Sequence, residues 1–334
     1  MTDLANRRPG VDENGLQAWL YDVSGDDAPV RLSDIDLAGL NDEQIVWVDV
    51  DLRTAGHFDS LLKPLGIADL VREIDSSIRR PSLNSHENFV QLNVIAIRGE
   101  PSDLVPVALH CFVGNNWIAT VHDGELDLVE EFNAPLASDS RLGGLDASAF
   151  LAMVLDWHLN SYLRAIEDVQ TAIDEVDELL LKPRSEEPRL LERLLQLRRR
   201  ITRLRGALSP LRDVIGPLSN PHSDRLFSTT AATDFQRLLQ RLQNAMEEMN
   251  TSREMIAVSF DIHMTKVSQN TNDIMKRLTL ASVLLLPAVL LAGVMGMNFK
   301  IPWFEEPGNF WVTVSAMGIL AVATLLYARL RKWL

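Results

Sequence analysis

The sequence predicts an α+β membrane protein with a cytoplasmic N-terminal α/β domain, a long helical stalk and two C-terminal transmembrane helices. Three observations predict this class. Residues 15–146 alternate short apolar runs with turn signals, and residues 147–278 carry the three- and four-residue spacing of long helices. Two apolar runs then follow, at 279–297 and 310–330, and neither contains a charged residue before Arg329.

The composition excludes several classes of protein. The formal net charge of −14 argues against a nucleic-acid-binding protein. The single cysteine, Cys111, rules out an intrachain disulfide and lies in an apolar stretch, where we expect it to be buried. We find no Gly-rich phosphate loop, nucleophile constellation or convincing His/carboxylate metal motif, so we predict no enzyme, no catalytic residue and no cofactor. Residues 1–14 are polar and are expected to be mobile, with no signal peptide.

The N-terminal domain is predicted to mix strands and helices. Short runs rich in β-branched and aromatic residues predict four strands, at 45–48, 89–97, 107–113 and 117–121. Gly114-Asn115-Asn116 separates the last two and indicates a hairpin. A helical stretch is predicted from Phe58 to Ile74, and another helix is predicted to start near Leu126.

From residue 147 the periodicity becomes that of long helices. One apolar stripe ends before a break at Lys182-Pro183, and a second stripe has the spacing of a coiled-coil seam. The first comprises Leu163, Ile166, Val169, Ile173, Val176 and Leu180, and the second Leu190, Leu194, Leu197, Ile201, Leu204, Leu208 and Leu211. Residues 216–233 contain Pro217 and Pro221 and predict a linker. A third, unbroken helix is predicted from Asp234 through Met297, about 95 Å long at 1.5 Å per residue.

The first two of these helices differ in charge. The first carries the acidic residues Glu167, Asp168, Asp174, Glu175, Asp177 and Glu178. The second carries the arginines Arg193, Arg198, Arg199, Arg200, Arg203 and Arg205. We expect an antiparallel helical hairpin with complementary, solvated faces.

The last part of the chain is predicted to form a membrane hairpin. At about 1.5 Å per residue, the run 279–297 gives a helix of roughly 28 Å, close to the ~30 Å hydrocarbon core. The run 310–330 is of similar length, and residues 298–309 form a short external loop. A basic inner cluster flanks both runs: Lys276, Arg277, Arg329, Arg331 and Lys332. This excess of basic residues places both termini, including the tail 331–334, in the cytoplasm.

Gly296-Met297-Asn298, at the outer end of the first predicted span, resembles the signature of a known family. Asn270 to Lys276 enters that span, Pro287 lies within it, and the chain ends in Arg331-Lys332-Trp333-Leu334. Leu208 to Asp213 is also similar to a family segment between two cytoplasmic helices. On these residues the chain is identified as a member of the CorA family of divalent metal-ion (magnesium/cobalt) transporters.

The similarity covers roughly residues 40–334 and implies a funnel-shaped homopentamer in the inner (cytoplasmic) membrane. Two spans per chain are too few to enclose a path, so several copies are required whatever their number. The resemblance assigns selection to a ring of Gly296, Met297 and Asn298, whose oxygens can hold a hydrated cation, as suits Mg²⁺. The implied cargo is Mg²⁺, with Co²⁺, Ni²⁺ and Zn²⁺ as further candidates, driven by a membrane potential worth about 4.6 kcal/mol per divalent ion at 100 mV. The predicted partners are other copies of the chain, the lipid bilayer and divalent cations.

One face of the third helix is predicted to line the path. Steps of three and four residues place on it Asn272, Met275, Thr279, Ser282, Leu286, Val289 and Gly293, ending at Gly296. A helix gains nothing from turning Thr, Ser and Asn toward lipid, whereas several copies around an axis would turn them toward water. The alternative is that Thr279 and Ser282 bond carbonyls of their own helix. Rings of Met275 and Leu286 are predicted to gate by dewetting.

Two positions depart from the family pattern. Lys300 stands where magnesium transporters often carry an acid, although Glu305 and Glu306 restore negative charge farther along the external loop. Arg237 stands where we align the family's regulatory aspartate between subunits, so cation-dependent closure at that site is not expected to carry over. Asp261 offers an aspartate nearer the membrane.

Three hypotheses about function follow. The main one is a Mg²⁺ channel, and the second is a Zn²⁺-preferring or proton-coupled branch of the same family, motivated by the two departures. The third is a non-conducting membrane regulator, motivated by those departures and by the acidic helix, which the resemblance also suggests could respond to cations near the inner pore mouth. Asp261 and His263 are weak candidate metal ligands, against a helix-surface or packed histidine. His110 beside Cys111 is weaker still, because neighbours on a strand point to opposite faces.

Overall fold

The computed structural model describes residues 16–23, 27–54, 58–74, 80–98, 105–133, 146–182, 189–220, 229–297 and 306–330. The chain divides into two compact units, Met1–Ala257 and Val258–Leu334. The first holds the predicted α/β domain and most of the helices that follow it. The N-terminus 1–14 and the tail 331–334 lie outside the described residues.

A mixed sheet of seven strands forms the centre of the first unit. The strands are β1 (Leu16–Asp22), β2 (Ala28–Pro29), β3 (Gln44–Asp51), β4 (Ser82–Ser85), β5 (Val90–Arg98), β6 (Val105–Val113) and β7 (Trp117–His122). Their order is β2-β1-β3-β7-β6-β5-β4, and every ladder is antiparallel except the one between β3 and β7. The four predicted strands are confirmed as β3, β5, β6 and β7. So is the hairpin, in which the Gly114 amide donates to the Trp117 carbonyl at 2.9 Å.

Eight α-helices are found in the described residues. They are α1 (Asp59–Leu62), α2 (Ala68–Arg72), α3 (Leu128–Asn133), α4 (Ala147–Leu181), α5 (Leu190–Leu208), α6 (Leu211–Leu218), α7 (Thr229–Met295) and α8 (Pro307–Leu330). The helix α4 starts where the periodicity predicts. The Asp146 carboxylate caps it there by accepting a hydrogen bond from the Ala149 amide at 2.7 Å. Its end at Leu181 precedes the predicted break.

Prolines and a glycine explain where the helices differ from prediction. The stretch 58–74 is not one helix, because Pro64 lies in a 3-10 turn and Gly66 adopts a left-handed φ of 73°. The seam predicted to run on to Leu211 stops at Leu208, because Pro210 has no N–H and fits only the start of a new helix, α6.

The linker predicted at 216–233 is also too long. The helix α6 continues through Gly216 to Leu218, with Pro217 accommodated in its last turn. The helix α7 begins at Thr229 rather than Asp234. Residues 216–218 and 229–233 of the predicted linker therefore belong to these two helices, and residues 221–228 lie outside the described residues.

Alternation along the strands sends side chains into two cores on opposite faces of the sheet. Val48 of β3 and Phe112 of β6 pack with α1 and α2 on one face. Trp47 of β3 and Cys111 of β6 pack with α4 on the other, where Trp47 stacks on Trp19 with ring centroids 4.8 Å apart. The thiol of Cys111 is fully buried, as predicted, and burial raises its pKa to about 12.

The helix α4 is tied to β5 through one backbone carbonyl. His158 Nε2 lies 2.8 Å from the Ile95 oxygen, and the Tyr162 hydroxyl donates to the same oxygen at 2.7 Å. Burial lowers the pKa of His158 to about 4, so the imidazole is neutral and its Nε2–H donates. Both donors are buried, and the carbonyl on which they converge fixes the position of α4 on the sheet.

The apolar stripes of α4, α5 and the first half of α7 form one continuous core. Val169 and Leu197 represent the two predicted stripes, and Leu242 represents α7. Arg241 of α7 adds a polar contact to α4, where it is paired with Asp156 and donates to Asn160 Oδ1 at 2.6 Å.

Candidate functional site

Two of the described helices are long and apolar enough to cross a membrane. One is Ala231–Met295, whose most apolar window has a mean hydropathy of 2.4, and the other is Gly308–Tyr327, with 1.9. No residue of either window is buried within the protein. The helix α8 begins at Pro307, three residues before the predicted second span, and α7 ends at Met295, two residues before the predicted end of the first span.

Each of these helices carries one half-buried stripe. On α7 it comprises Leu280, Leu284, Pro287, Ala288, Leu291 and Met295, and on α8 Asn309, Thr313, Met317, Ala321 and Thr324. The Thr313 hydroxyl lies 3.8 Å from Met295 Sδ and joins one member of each stripe. These stripes are therefore the sides on which α7 and α8 pack against each other.

The predicted pore-lining residues lie on the other side of α7. Val289 precedes the packed Leu291 by two residues, which is about 200° around a helix of 3.6 residues per turn. Leu286 and Val289 are each 67% exposed. The remaining members of the set, Asn272, Met275, Thr279, Ser282 and Gly293, are exposed as well. One chain thus leaves this face uncovered along the whole predicted set.

The serine on this face bonds within its own helix. The Ser282 hydroxyl donates to the Leu278 carbonyl at 3.0 Å, as the alternative interpretation expects. This bond uses the hydroxyl hydrogen and leaves oxygen lone pairs free to accept from water. The intrahelical bond is therefore compatible with a role in lining a path.

The signature residues begin where α7 ends. The Gly296 amide donates to the Ala292 carbonyl at 2.9 Å and the Met297 amide to the Val294 carbonyl at 3.2 Å, so both residues continue the last turn. The final carbonyls of a helix lack amide partners and carry the negative end of its dipole. This end of α7 is therefore suited to a cation. Asn298 lies outside the described residues.

The charged residues predicted around the spans are described only in part. Lys276 Nζ pairs with Asp273 Oδ1 at 3.1 Å, and Arg277 and Arg329 are exposed. Of the external loop, Glu306 is described and exposed. The remaining members, Lys300, Glu305, Arg331 and Lys332, lie outside the described residues.

The weak metal candidates on α7 do not meet within one chain. Asp261 is exposed, whereas His263 is half-buried and continues the stripe of Ile256 and Ser259. Helix residues two positions apart do not face each other, so one copy does not bring both to one ion. No group of three or more His, Cys, Asp and Glu side chains in the described ranges is placed to hold a metal ion. Arg237, the second departure, is exposed and pairs with Asp234 of its own helix at 3.1 Å.

His110 and Cys111 point to opposite faces of the sheet, as expected for strand neighbours. His110 Nδ1 lies 2.7 Å from Asn93 Oδ1, while Cys111 packs on the α4 side. Burial lowers the pKa of His110 to about 4, so its ring is neutral and Nδ1–H donates to the amide oxygen. The pair has a structural role and shares no ligand geometry.

A buried polar network at the β3–β7 ladder is absent from the sequence predictions. Trp47 Nε1 donates to Thr120 Oγ1 at 3.0 Å, and that hydroxyl donates to Asp49 Oδ1 at 2.5 Å. Asp49 Oδ2 lies 3.2 Å from His122 Nε2. Burial lowers the pKa of His122, but the hydrogen bond and charge of Asp49 outweigh it and leave the pKa above its usual value. Trp47 and Asp49 of β3 are about 70 positions away in sequence from Thr120 and His122 of β7. The network could have been predicted only from the pairing of these two strands.

The chain matches one family model over nearly its whole length. The family is described as "CorA-like Mg2+ transporter protein", and the match covers residues 42–332. Among curated relatives, the cobalt/magnesium transport protein CorA of Methanocaldococcus jannaschii is 22% identical over 305 residues, covering 90% of this chain and 95% of that protein. The protein of the same name from Thermotoga maritima is 27% identical over 191 residues. In that alignment the chain spans about half of the relative, 56% of this chain matching 53% of that one.

Solved structures show the same fold. The complete CorA magnesium transporter of Methanocaldococcus jannaschii superposes with a TM-score of 0.78 at 22% identity, covering 95% of this chain and 98% of that one. The full-length CmaX protein gives 0.74 at 22% identity, covering 96% and 99%. The shared elements are a soluble N-terminal α/β domain, a long helix and two C-terminal apolar helices.

Proposed function

The chain belongs to the CorA-like Mg²⁺ transporter protein family, and we propose that it forms a homopentameric channel for hydrated divalent cations, Mg²⁺ first. The observation that carries this proposal is the exposed face of α7 from Asn272 to Gly296, which lies on the side away from α8. Its family is one of transporters, and the chain is not an enzyme.

The exposed face of α7 has a role when several copies of the chain are arranged around a common axis. With α8 packed on one side of α7, the face that bears Thr279 and Ser282 is free to turn toward a common centre. Turned to lipid, the same polar groups would gain nothing, whereas around a water-filled path they can hydrogen-bond to water. The number five comes from the family resemblance, since symmetry alone allows other closed rings.

We assign ion selection to the ring of Gly296, Met297 and Asn298. The support is that α7 ends at this point, so each copy directs unpaired carbonyls and a negative helix end at the ring. The exposed face of the span carries no carboxylate. Neutral oxygens suit an ion that keeps its water, and Mg²⁺ gives up its water reluctantly. The apolar residues Leu286 and Met275 lie farther in, where we assign them to gating by dewetting.

The cation class follows from the relatives. Those from Methanocaldococcus jannaschii and Thermotoga maritima are named as cobalt/magnesium transport proteins. We propose Mg²⁺ and Co²⁺ as cargo for this chain, with Ni²⁺ and Zn²⁺ as competitors to be tested. The proposed location is the inner membrane, with residues 15–278 and the tail 331–334 in the cytoplasm and the loop after 298 outside.

Flux measurements test the function. The purified protein in liposomes, under an imposed potential, should take up Mg²⁺ and Co²⁺, and Asn298→Ala should abolish the uptake. The matched control is Asn309→Ala, at the start of α8. Uptake of Zn²⁺ without Mg²⁺ would favour the zinc branch, and no uptake of any ion would favour the non-conducting regulator.

Thiol labelling tests the lining face directly. The native Cys111 is buried, so a cysteine introduced in α7 is the reactive one. Val289→Cys should react with a water-soluble thiol reagent, and the reaction should block flux. Leu291→Cys, two residues on and packed toward α8, should remain unreactive. Equal reactivity at both positions would contradict the assignment of the pore face.

A further inference from the structure

Two helices of the first unit carry opposite charge. Residues 165–181 of α4 contain six acidic side chains and no basic one. The helix α5 contains six arginines and one acid, Glu192. A protein with a net charge of −14 therefore concentrates positive charge on one short helix.

Most of these side chains are exposed and unpaired. On α4 the exposed acids are Glu167, Asp174, Glu175 and Glu178, here called the acidic face, and on α5 the exposed arginines include Arg198, Arg199, Arg203 and Arg205, here called the arginine face. In the part of the chain that the structure describes, none of these eight side chains forms a salt bridge.

The packing of the hairpin explains why the two faces do not neutralise each other. The buried stripes of α4 and α5, represented by Ile173 and Ile201, meet in the same core. The exposed side of each helix lies away from that core. Within one copy, the half-buried Asp168 of α4 interacts electrostatically with the half-buried Arg200 of α5, but these two residues belong to neither face. In the described residues, no side chain of the acidic face pairs with one of the arginine face.

Two copies related by a rotation can bring the faces together. A contact between different surfaces of identical subunits is heterologous, and it closes into a ring when the rotation allows. At about 1.5 Å per residue, the acidic face, residues 167–178, spans roughly 18 Å and the arginine face, residues 198–205, roughly 12 Å, so the arginine face fits within the length of the acidic face.

We propose that the arginine face of each copy docks on the acidic face of the next copy in the ring. This inference rests on the proposed homo-oligomer and adds to it an electrostatic contact between the cytoplasmic helices. A second copy is favoured over an anionic lipid surface because the chain itself supplies the complementary charge, with four exposed side chains on each face. Complementary charge of this kind fixes the partner and the register of a contact, and salt screens it.

The test is assembly of the full-length protein in neutral detergent, measured by analytical ultracentrifugation and native mass spectrometry. Arg199→Glu with Arg203→Glu should raise the concentration needed for ring formation by roughly tenfold, since several exposed ion pairs are lost together. Adding Glu167→Arg and Asp174→Arg to the same chain should restore assembly, because the reversed faces again match. Raising the salt concentration should weaken assembly of the wild-type protein and of this fourfold variant.

Controls separate this contact from general effects of charge. Arg31→Glu with Lys63→Glu changes the net charge equally at exposed positions outside the hairpin and should leave assembly unchanged. Normal assembly of the Arg199/Arg203 variant, or no recovery in the fourfold variant, would overturn the inference while leaving the channel proposal intact. A wild-type protein that remains monomeric would overturn both. A variant that assembles normally but loses binding to vesicles of anionic lipid would assign the arginine face to the membrane instead.

Discussion

Replacing His122 by glutamine is expected to destabilise the first unit by about 3–5 kcal/mol. His122 Nε2 lies 3.2 Å from Asp49 Oδ2, and the two side chains are only 6% and 7% exposed. Asp49 also accepts a hydrogen bond from Thr120 at 2.5 Å. Without His122, the Asp49 carboxylate keeps neutral hydrogen-bond donors but loses its positively charged partner. A buried carboxylate without a counter-charge is strongly unfavourable.

The stability lost in His122→Gln should decrease as the pH rises. The pKa of His122 is raised in the folded protein above its usual value of 6.5, because Asp49 outweighs the effect of burial. A cation with a raised pKa contributes its full stability below its unfolded-state pKa and loses it as the pH rises through the folded-state pKa. The difference between wild type and His122→Gln should therefore be largest near pH 6 and shrink at higher pH.

Thermal unfolding of the full chain in detergent measures this effect. At about pH 6 we expect Tm to fall by roughly 6–20 °C, and at about pH 9 by clearly less. The exposed His86, replaced by glutamine, is the control and should change little. The double variant Asp49→Asn, His122→Gln removes both charges and should recover part of the loss. Equal losses at both pH values, or a double variant no better than the single one, would refute the charged pair.

Two further substitutions test the span and the helical core. Gly293→Ala should reduce ion flux without harming the fold, because a Cβ there meets no atom within 4 Å in the chain and alanine favours the helix by about 1 kcal/mol. Gly318→Ala, equally open on α8, should leave flux unchanged. Leu204→Ala, in the buried stripe of α5, should lower stability by about 2–5 kcal/mol in thermal unfolding, whereas the exposed Thr202→Ala should change it by less than about 0.5 kcal/mol.

Periodicity predicts the elements whose burial repeats regularly. The stripe from Leu190 to Leu208 is found as predicted, because its buried positions repeat over several turns. The strand at 107–113 is found because its seven residues are all buried and all but His110 are apolar. The strand β1 is missed, because Leu16–Asp22 has neither a regular alternation nor an apolar run along its whole length, since Gln17 and Asp22 are polar. The edge strand β4 is missed because Ser82–Ser85 is polar, and its ladder with β5 is invisible in the local sequence.

One part of the candidate site could be predicted from the sequence, and another part could not. The exposed face of α7 is predictable because it follows helical spacing, and its position opposite α8 agrees with that pattern. The Asp49–His122 pair is not predictable, because it depends on the parallel register in which Asp49 lies opposite Thr120. Closeness in sequence does not bring Asp261 and His263 to one ion within a copy, because residues two positions apart point to different sides of a helix.

The single parallel ladder has a consequence for how the sheet folds. The strands β2, β1 and β3 form one part of the sheet, and β4 to β7 form another. Within each of these two blocks, strands that pair are also close in sequence, so only short loops must close. The β3–β7 ladder alone joins them, and it pairs residues about 70 positions apart, such as Asp49 with Thr120. Distant contacts carry the larger loop-closure entropy and form slowly. We therefore expect the blocks to form first and the union of β3 with β7 to set the folding rate of the sheet.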